Sequence, residues 1–333
     1  MTRTAPGSDA APGPILIAGA DRSGTSLMFA LLASHPDISM VRRTNMWRWF
    51  HARYGNLRDS ENLDRCLDEL LRYPRTLQLE PDVARIRKEF RVGDASYGRL
   101  FSLFHAHHAQ RQGKARWGDK SLHTEHQVGR ILTDLPNARV IQMVRDPRDR
   151  YASVVGRYDD RTKGIGAVMG RWLWSATAIA RNQRRHPDNV MTVRYETLAS
   201  EPEATLRAVC AFIGEPYEAA MLHMEGAPDH GRVGGNSSFA TFAPGAISTR
   251  SIGRFREVLS ARDLAFIQAV ARRPMRAFGY EPEPVSWSST SEQLGFRLGE
   301  LPLDLARLTG WMAVDRAQGR RRTVPAERLT PAP

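Results

Sequence analysis

The stretch that decides the fold is residues 14–32, which reads PILIAGADRSGTSLMFALL. Its apolar start, residues 15–17, is typical of a buried strand, and the apolar residues that follow Gly24 recur at helical spacing. Glycines at 19 and 24 let the intervening turn approach a bound anion closely. The unpaired N–H groups at the start of the following helix favour negative charge. The sequence therefore predicts a strand, an anion-binding loop and a helix, with a phosphate in the loop.

The loop differs from the phosphate loop of ATPases in one position. The two glycines have the spacing of G-x-x-x-x-G-K-[ST], but Thr25 stands where that motif has lysine. The basic residue comes earlier, at Arg22, and hydroxyl donors follow at Ser23, Thr25 and Ser26. A strand, glycine and helix in succession also occur in α/β proteins that bind no anion there. The added guanidinium and hydroxyls favour a phosphate loop without the ATPase lysine.

The composition indicates a globular chain with an anionic partner. It has 333 residues, is 41% hydrophobic and carries a formal net charge of +12. Such a charge favours an anionic nucleotide, a nucleic acid or an anionic membrane surface. Arginine spread through every segment need not form one patch and is the favoured explanation of the charge. No known nucleic-acid motif is present, so no nucleic-acid partner is predicted. Lysine is rare and occurs at Lys88, Lys114, Lys120 and Lys163.

Several other signals are weak. Cys66 and Cys210 stand alone, which excludes a disulfide framework and a four-cysteine metal site. His123 and His126 have no evident carboxylate at metal-ligand spacing, so they are predicted to be packing or solvated residues, and no metal site is expected. Residues 1–13 are predicted to be a disordered leader without a signal peptide. No apolar run reaches the length of a membrane span, and a cytoplasmic location is the expectation.

A second strand leads to another candidate anion site. Residues 139–144, RVIQMV, predict a buried strand with Arg145 at its exit and a helix over about residues 146–158. Ser153 and Arg157 lie four apart and share one face of that helix. These donors predict a second phosphate site. The alternative is that residues 145–149 form an internally paired charged turn.

The remaining segments are predicted to surround these sites. Residues 116–120 predict a short strand that ends at Lys120, and residues 60–113 predict a helical cap insertion. The aromatic segment 46–50 is either a wall of the acceptor site or ordinary packing. Residues 282–333 predict a linker, an amphipathic helix and a basic tail, which either docks on the domain or contacts an anionic membrane peripherally.

Taken together, these motifs resemble the sulfotransferases that use 3′-phosphoadenosine 5′-phosphosulfate (PAPS). The loop R-S-G-T-[ST]-L followed by His35 and Pro36 is similar to their 5′-phosphosulfate loop, and residues 145–153, RDPRDRYAS, are similar to their 3′-phosphate site. WGDKS at 117–121, VRYETL at 193–198 and SIGRF at 251–255 extend the likeness, which covers residues 14–281. The resemblance implies a three-layer α/β/α fold with a mainly parallel sheet and a P-loop-like nucleotide site.

The resemblance also assigns residues. Those implied in nucleotide binding are Arg22, Ser23, Gly24, Thr25, Ser26, Arg145, Ser153, Arg157, Tyr195, Ser251 and Arg254. Lys120 and Arg22 are implied to stabilise charge at the transferred sulfuryl group. Since these cations and the helix dipole supply positive charge, no metal is required by this scheme.

The sequence differs from the family pattern at the general base, the residue that would take the proton from the acceptor. Protein-tyrosine sulfotransferases carry a glutamate shortly after His-Pro, whereas residues 39–44 here read SMVRRT. This disfavours a tyrosyl-protein acceptor and favours a hydroxyl or amine of a small molecule, carbohydrate or lipid. The candidates for the base are His51, Asp94, Asp119 and His123. Two alternative functions fit parts of the sequence: an ATP-dependent P-loop kinase, for which Asp146 would be the magnesium ligand, and a basic nucleic-acid-binding protein.

Overall fold

A five-stranded parallel sheet lies at the centre of the computed structural model, which describes residues 12–155, 164–227 and 246–319. The strands are β1 (Ile15–Ala18), β2 (Ile38–Arg42), β3 (Arg116–Lys120), β4 (Arg139–Val144) and β5 (Val190–Arg194). Their order across the sheet is β2-β3-β1-β4-β5, and each neighbouring pair is parallel. Parallel strands all end at the same edge, so the segments that follow β1, β3 and β4 leave the sheet side by side.

Helices precede and follow these strands. In the first half of the chain they are α1 (Thr25–Ala33), α2 (Met46–Trp49), α3 (Ser60–Arg72), α4 (Pro74–Leu77), α5 (Val83–Arg91), α6 (Tyr97–Arg111) and α7 (Val128–Asp134). In the second half they are α8 (Pro147–Val155), α9 (Gly164–Arg185), α10 (Tyr195–Ser200), α11 (Pro202–Ile213), α12 (Phe255–Val258), α13 (Ala261–Ala277), α14 (Thr290–Gly295) and α15 (Leu301–Gly319). Short 3₁₀ turns cover Thr124–His126 and Ala219–His223, and a π-helical segment, Phe296–Glu300, joins α14 to α15.

Strand β1 shows why the molecule has three layers. Its side chains alternate: Ile15 and Ile17 pack with α1 and α11, whereas Leu16 and Ala18 pack with the helices on the opposite face. All four are buried, as expected for a strand covered on both faces. The predicted α/β/α architecture with a parallel sheet is therefore confirmed.

The helices of residues 60–113 cover one of these faces. Asp59, Asp82 and Ser96 cap the N-termini of α3, α5 and α6 through their side chains. The buried side of these helices joins the cluster that contains Leu16 of β1. The division of the chain at residues 13 and 281 stays a prediction.

The aromatic segment 46–50 belongs to the same cluster. Met46, Trp47 and Phe50 are buried there, and Trp47 packs edge-on against Phe101 with ring centroids 5.4 Å apart. Packing is thus the correct interpretation of these three residues. Trp49 is the one aromatic residue of the segment that is partly exposed, and the Arg48 guanidinium lies 4.6 Å from its ring.

The C-terminal helix α15 packs against α9. An added Cβ at Gly166 would lie 2.3 Å from the carbonyl oxygen of Asp304, so the two backbones are in close contact. Leu308 of α15 is buried in the cluster that contains Trp172 of α9. Within the three ranges the structure describes, no helix has both the length and the hydropathy to cross a membrane.

Candidate functional site

The loop between β1 and α1 folds tightly around its glycines. Gly24 caps α1 with φ of 86°, in the left-handed region, and a Cβ there would lie 2.5 Å from Cδ2 of Tyr195. Arg22 also has positive φ, at 64°. Only glycine tolerates both the backbone angle and the close approach at position 24, and the backbone of residues 19–24 therefore wraps closely beneath the start of α1.

The two motifs predicted to bind phosphates meet in space. Arg22 Nε donates to Ser153 Oγ at 3.0 Å, and Arg145 Nη1 donates to the carbonyl oxygen of Arg22 at 3.2 Å. Arg145 Nη2 donates to the carbonyl oxygen of Ser251 at 2.8 Å, and the guanidinium lies 4.3 Å from the ring of Tyr195. The Tyr195 hydroxyl and Ser251 Oγ form a hydrogen bond of 2.6 Å. Five of the residues that the sequence predicted thus form one connected group.

Arg145 keeps capacity for a ligand. Its Nε is buried and has no hydrogen-bond partner among the described residues, while its other two nitrogens donate to carbonyl oxygens. A carbonyl carries no net charge, so these two bonds do not neutralise the guanidinium, and Asp149 acts on it only electrostatically. An anion with acceptor oxygens fits this donor set.

Lys120 lies at the end of β3 and is only 9% exposed. Its Nζ donates to Ser26 Oγ at 3.2 Å, which places the ammonium at the start of α1. Burial, followed by the positive charges of Arg43 and Arg42, lowers the pKa of Lys120 to about 8. Such a concentration of cations is unfavourable by itself and favours a bound anion.

The two aspartates of the charged turn after β4 have different partners. Asp146 pairs with Arg148, at 2.6 Å, which matches the interpretation as an internally paired turn for those two residues. Asp149 instead accepts the backbone N–H groups of Gly253 and Phe255, at 2.7 and 2.9 Å. Burial raises the pKa of Asp149 to about 6, and the two hydrogen bonds, which favour the charged carboxylate, limit that rise. Asp149 therefore fixes the segment that carries Ser251.

Arg150 also holds the loop between β1 and α1, through Asp21. Its Nε and Nη2 donate to the backbone oxygen and the side chain of Asp21, at 2.8 and 2.6 Å, and Arg150 is almost fully buried. Arg254 lies half-buried next to Gly253. Arg157, predicted for the 3′-phosphate, lies outside the described residues.

The four candidates for the base lie in different places. Asp119 is buried and accepts Thr44 Oγ1 and Ser121 Oγ, and burial raises its pKa. His51 stacks on Trp47 inside the cap, and Asp94 is exposed in the loop between α5 and α6. His123 follows β3 after two residues and is half-buried against Trp174, at the same edge of the sheet as Lys120.

Sequence reasoning missed Glu125. This carboxylate is buried, and its Oε2 accepts the backbone N–H of Gly19, the first residue of the loop, at 3.2 Å. Burial raises the pKa of Glu125. The one signal in the sequence was HTEH at 123–126, immediately after a strand.

The prediction that His123 and His126 lack a carboxylate was also wrong. Ligand atoms of His123, Glu125 and His126 all lie within 4.8 Å of one another. The positive φ of His123, 63°, and the 3₁₀ turn that follows bring the three side chains together, which spacing alone did not reveal. Burial lowers the pKa of His126 to about 2.

Known proteins resemble this chain in sequence. The sequence model of the sulfotransferase family matches residues 14–219. The protein-tyrosine sulfotransferase of Drosophila melanogaster is 28% identical over 225 residues, which are 63% of this chain and 40% of that protein. Protein-tyrosine sulfotransferase A of Caenorhabditis elegans is 25% identical over 63% of this chain and 52% of its own length. The chain thus spans about half the length of these curated relatives or less.

Solved structures resemble it in fold. The sulfotransferase domain of the Synechococcus PCC 7002 olefin synthase superposes with a TM-score of 0.56 at 20% identity, covering 85% of this chain and all of that domain. The sulfotransferase domain from the curacin biosynthetic pathway gives a TM-score of 0.54 at 16% identity, over 82% of this chain and 99% of that domain. The family match extends over more than half of the sequence, and the chain belongs to the sulfotransferase family.

Proposed function

We propose that this protein transfers the sulfuryl group of PAPS to a hydroxyl or amine of a small-molecule, carbohydrate or lipid acceptor. The observation that carries the proposal is the contact between two anion-binding motifs, Arg22 Nε to Ser153 Oγ at 3.0 Å, with Arg145 bonded to the backbone of the same loop. PAPS carries anionic groups at both its 5′ and 3′ positions. Two joined donor sets match a nucleotide of that kind better than one with phosphates at a single end.

The residues divide between the two ends of the nucleotide. Arg22, Ser23, Gly24, Thr25 and Ser26 would hold the 5′-phosphosulfate, where α1 begins. The 3′-phosphate would be held by Arg145, Ser153 and Arg157. Tyr195 would lie beside the adenine, and Ser251 and Arg254 would close over the nucleotide.

Lys120 and Arg22 would stabilise the transfer itself. As the bond between sulfur and the bridging oxygen breaks, negative charge grows on that oxygen, and the sulfuryl group passes to the acceptor's oxygen or nitrogen. Preorganised cations stabilise such charge without forming a covalent bond. These two side chains would supply the positive charge, so the proposed transfer uses no metal.

The proposed acceptor class follows from the segment after His35 and Pro36. Residues 39–44 contain no carboxylate, and Thr44 is committed to Asp119 through a hydrogen bond of 2.9 Å. The base that protein-tyrosine sulfotransferases carry there is therefore missing from this chain. This supports an acceptor other than a tyrosyl protein.

Calorimetric titration with 3′,5′-diphosphoadenosine, ADP and ATP tests the nucleotide. A charge-assisted arginine contact contributes about 1.5–3 kcal/mol, so the diphosphoadenosine should bind roughly ten- to hundredfold more tightly than ADP. Arg145→Ala should remove most of that preference, while Arg91→Ala, on an exposed arginine of α5, should keep it. Equal affinity for ADP and the diphosphoadenosine would refute the proposal and favour the kinase.

We further propose that the C-terminal segment contacts an anionic membrane surface. Leu294, Leu298 and Leu303 are 55, 73 and 52% exposed, and Arg297 beside them is also exposed. The sequence then places four arginines within residues 316–322. Exposed leucines flanked by cations complement a surface with an apolar interior and anionic headgroups.

Vesicle flotation tests the membrane proposal. The protein should float with vesicles that contain phosphatidylserine and remain behind with pure phosphatidylcholine. The double substitution Leu298→Ser with Leu303→Ser should weaken binding to the phosphatidylserine vesicles about tenfold or more. Val92→Ser, on a residue of the cap that is 84% exposed, is the matched control. Binding that survives the double substitution would contradict the proposal.

A further inference from the structure

A compact group of metal-ligand side chains lies beside the phosphate loop. His123, Glu125 and His126 present one ligand atom each, all within 4.8 Å of one another, and no other such group of three occurs among the described residues. His126 Nε2 lies 3.6 Å from Glu125 Oε1. That nitrogen is buried, and no hydrogen-bond partner for it exists in the described parts of the chain. A buried imidazole nitrogen without a partner leaves a polar position to be filled.

We propose that His123, Glu125 and His126 bind a zinc ion. Two imidazoles and one carboxylate are donors that Zn²⁺ accepts, in sites that keep a fourth position open. The 3.6 Å between Glu125 Oε1 and His126 Nε2 is close to the separation of two ligands on one ion. Two imidazoles favour zinc over magnesium or calcium, which prefer oxygen ligands.

The ligands are already oriented by their neighbours. The ring of His126 stacks on Trp174 at an interplanar angle of 17°, and His123 packs against the same indole with centroids 5.3 Å apart. Glu125 is fixed by the N–H of Gly19, which occupies Oε2 and leaves Oε1 facing His126. Preorganised ligands lose little conformational freedom on binding, which strengthens the site.

Two arginines oppose the ion. Arg48 and Arg181 lie close enough to His126 to act on it electrostatically. Their positive charge disfavours a second cation, so we expect a dissociation constant on the order of micromolar instead of the tighter binding of closed structural zinc sites. Through Glu125, the ion would tie the turn after β3 to Gly19, the first residue of the phosphate loop. The proposal concerns metal binding alone and does not depend on the transferred group.

Equilibrium dialysis of the metal-free, full-length protein against ZnCl₂ tests the site. We expect about one zinc per chain, and a zinc-dependent rise in the melting temperature because the ion binds the folded state. His126→Ala and Glu125→Gln should each weaken zinc binding at least tenfold and remove that rise. His223→Ala, on an exposed histidine of the 3₁₀ turn Ala219–His223, should change neither.

A second probe reports the geometry. Co²⁺ bound by the same ligands should show the intense visible absorption of four-coordinate cobalt, lost in His126→Ala. If Glu125→Gln does not fold, as judged by circular dichroism without metal, His123→Ala takes its place. No bound zinc at about millimolar ZnCl₂, or equal zinc binding by folded His126→Ala and wild type, would overturn the proposal.

Discussion

Replacing Lys120 by methionine should stabilise the ligand-free protein while abolishing most of its activity. Burial and neighbouring arginines lower the pKa of Lys120 from 10.5 to about 8. Each pKa unit corresponds to about 1.4 kcal/mol, so carrying this charge costs the folded state about 3 kcal/mol at pH 7. Methionine avoids that cost and loses the hydrogen bond to Ser26, worth about 1 kcal/mol. The free energy of unfolding should therefore rise by about 1–3 kcal/mol.

The pH dependence has a definite sign. The pKa in the folded state, about 8, is lower than the 10.5 of the unfolded chain, so below pH 8 both states are protonated and the full cost is present. Between pH 8 and 10.5 the unfolded chain holds the proton that the folded protein has released, and wild-type stability rises with pH. The advantage of Lys120→Met should therefore shrink over that window.

Urea unfolding at pH 7 and at about pH 10 measures both effects. Lys88→Met, on an exposed lysine of α5, should change the free energy of unfolding by less than about 0.5 kcal/mol at either pH. In parallel, hydrolysis of PAPS at saturating nucleotide should fall on the order of 10²–10³-fold in Lys120→Met, because one preorganised cation is lost. A variant that is less stable than wild type by the same amount at both pH values would refute the electrostatic reasoning. Hydrolysis at the wild-type rate would remove Lys120 from the mechanism.

Two further substitutions probe the frame of the site. Gly24→Ala combines a backbone φ of 86° with a Cβ 2.5 Å from the Tyr195 ring, so urea unfolding should show a loss of about 1–3 kcal/mol; unchanged stability would contradict the strained cap. Asp149→Ala leaves the N–H groups of Gly253 and Phe255 without their acceptor, and calorimetry should show about tenfold weaker binding of diphosphoadenosine, whereas unchanged affinity would show that this segment does not close over the nucleotide.

Local patterns predicted β3, β4 and the strand, loop and helix of residues 14–33 well. The predicted strand at 139–144 is β4, and that at 116–120 is β3, with the same bounds. Glycine spacing and apolar periodicity act over a few residues, so the strand, loop and helix of residues 14–33 could be derived from the chain alone. The meeting of Arg22 with Ser153 followed from a general property of parallel sheets, whose strands end at one edge.

Contacts set by tertiary packing could not be derived in this way. Glu125 reaches Gly19, 106 residues away, and the HTEH segment that contains it does not indicate that contact. The aromatic residues 46–50 gave no sign of which face they would bury, because a short amphipathic segment fits a site wall and a core equally. The sequence marked Lys120 by its rarity, its place at a strand end and the WGDKS motif, whereas its lowered pKa comes first from burial and then from the arginines that the fold brings near it.

Successive side chains of β3 point to opposite faces of the sheet, and this alternation explains how the site keeps its positive charge. Asp119 and Lys120 are adjacent, so their side chains leave opposite faces of the strand: Asp119 bonds to Thr44, and Lys120 reaches Ser26. The register pairs Ile17 with Lys120, which brings the ammonium level with the last residues of β1 before the loop. A shift of one residue in β3 would exchange the two side chains and place a carboxylate beside the phosphate loop. Because the sheet holds this register, a carboxylate and an ammonium that are neighbours in the chain stay on opposite faces, and we expect the ammonium to remain available to an anionic substrate.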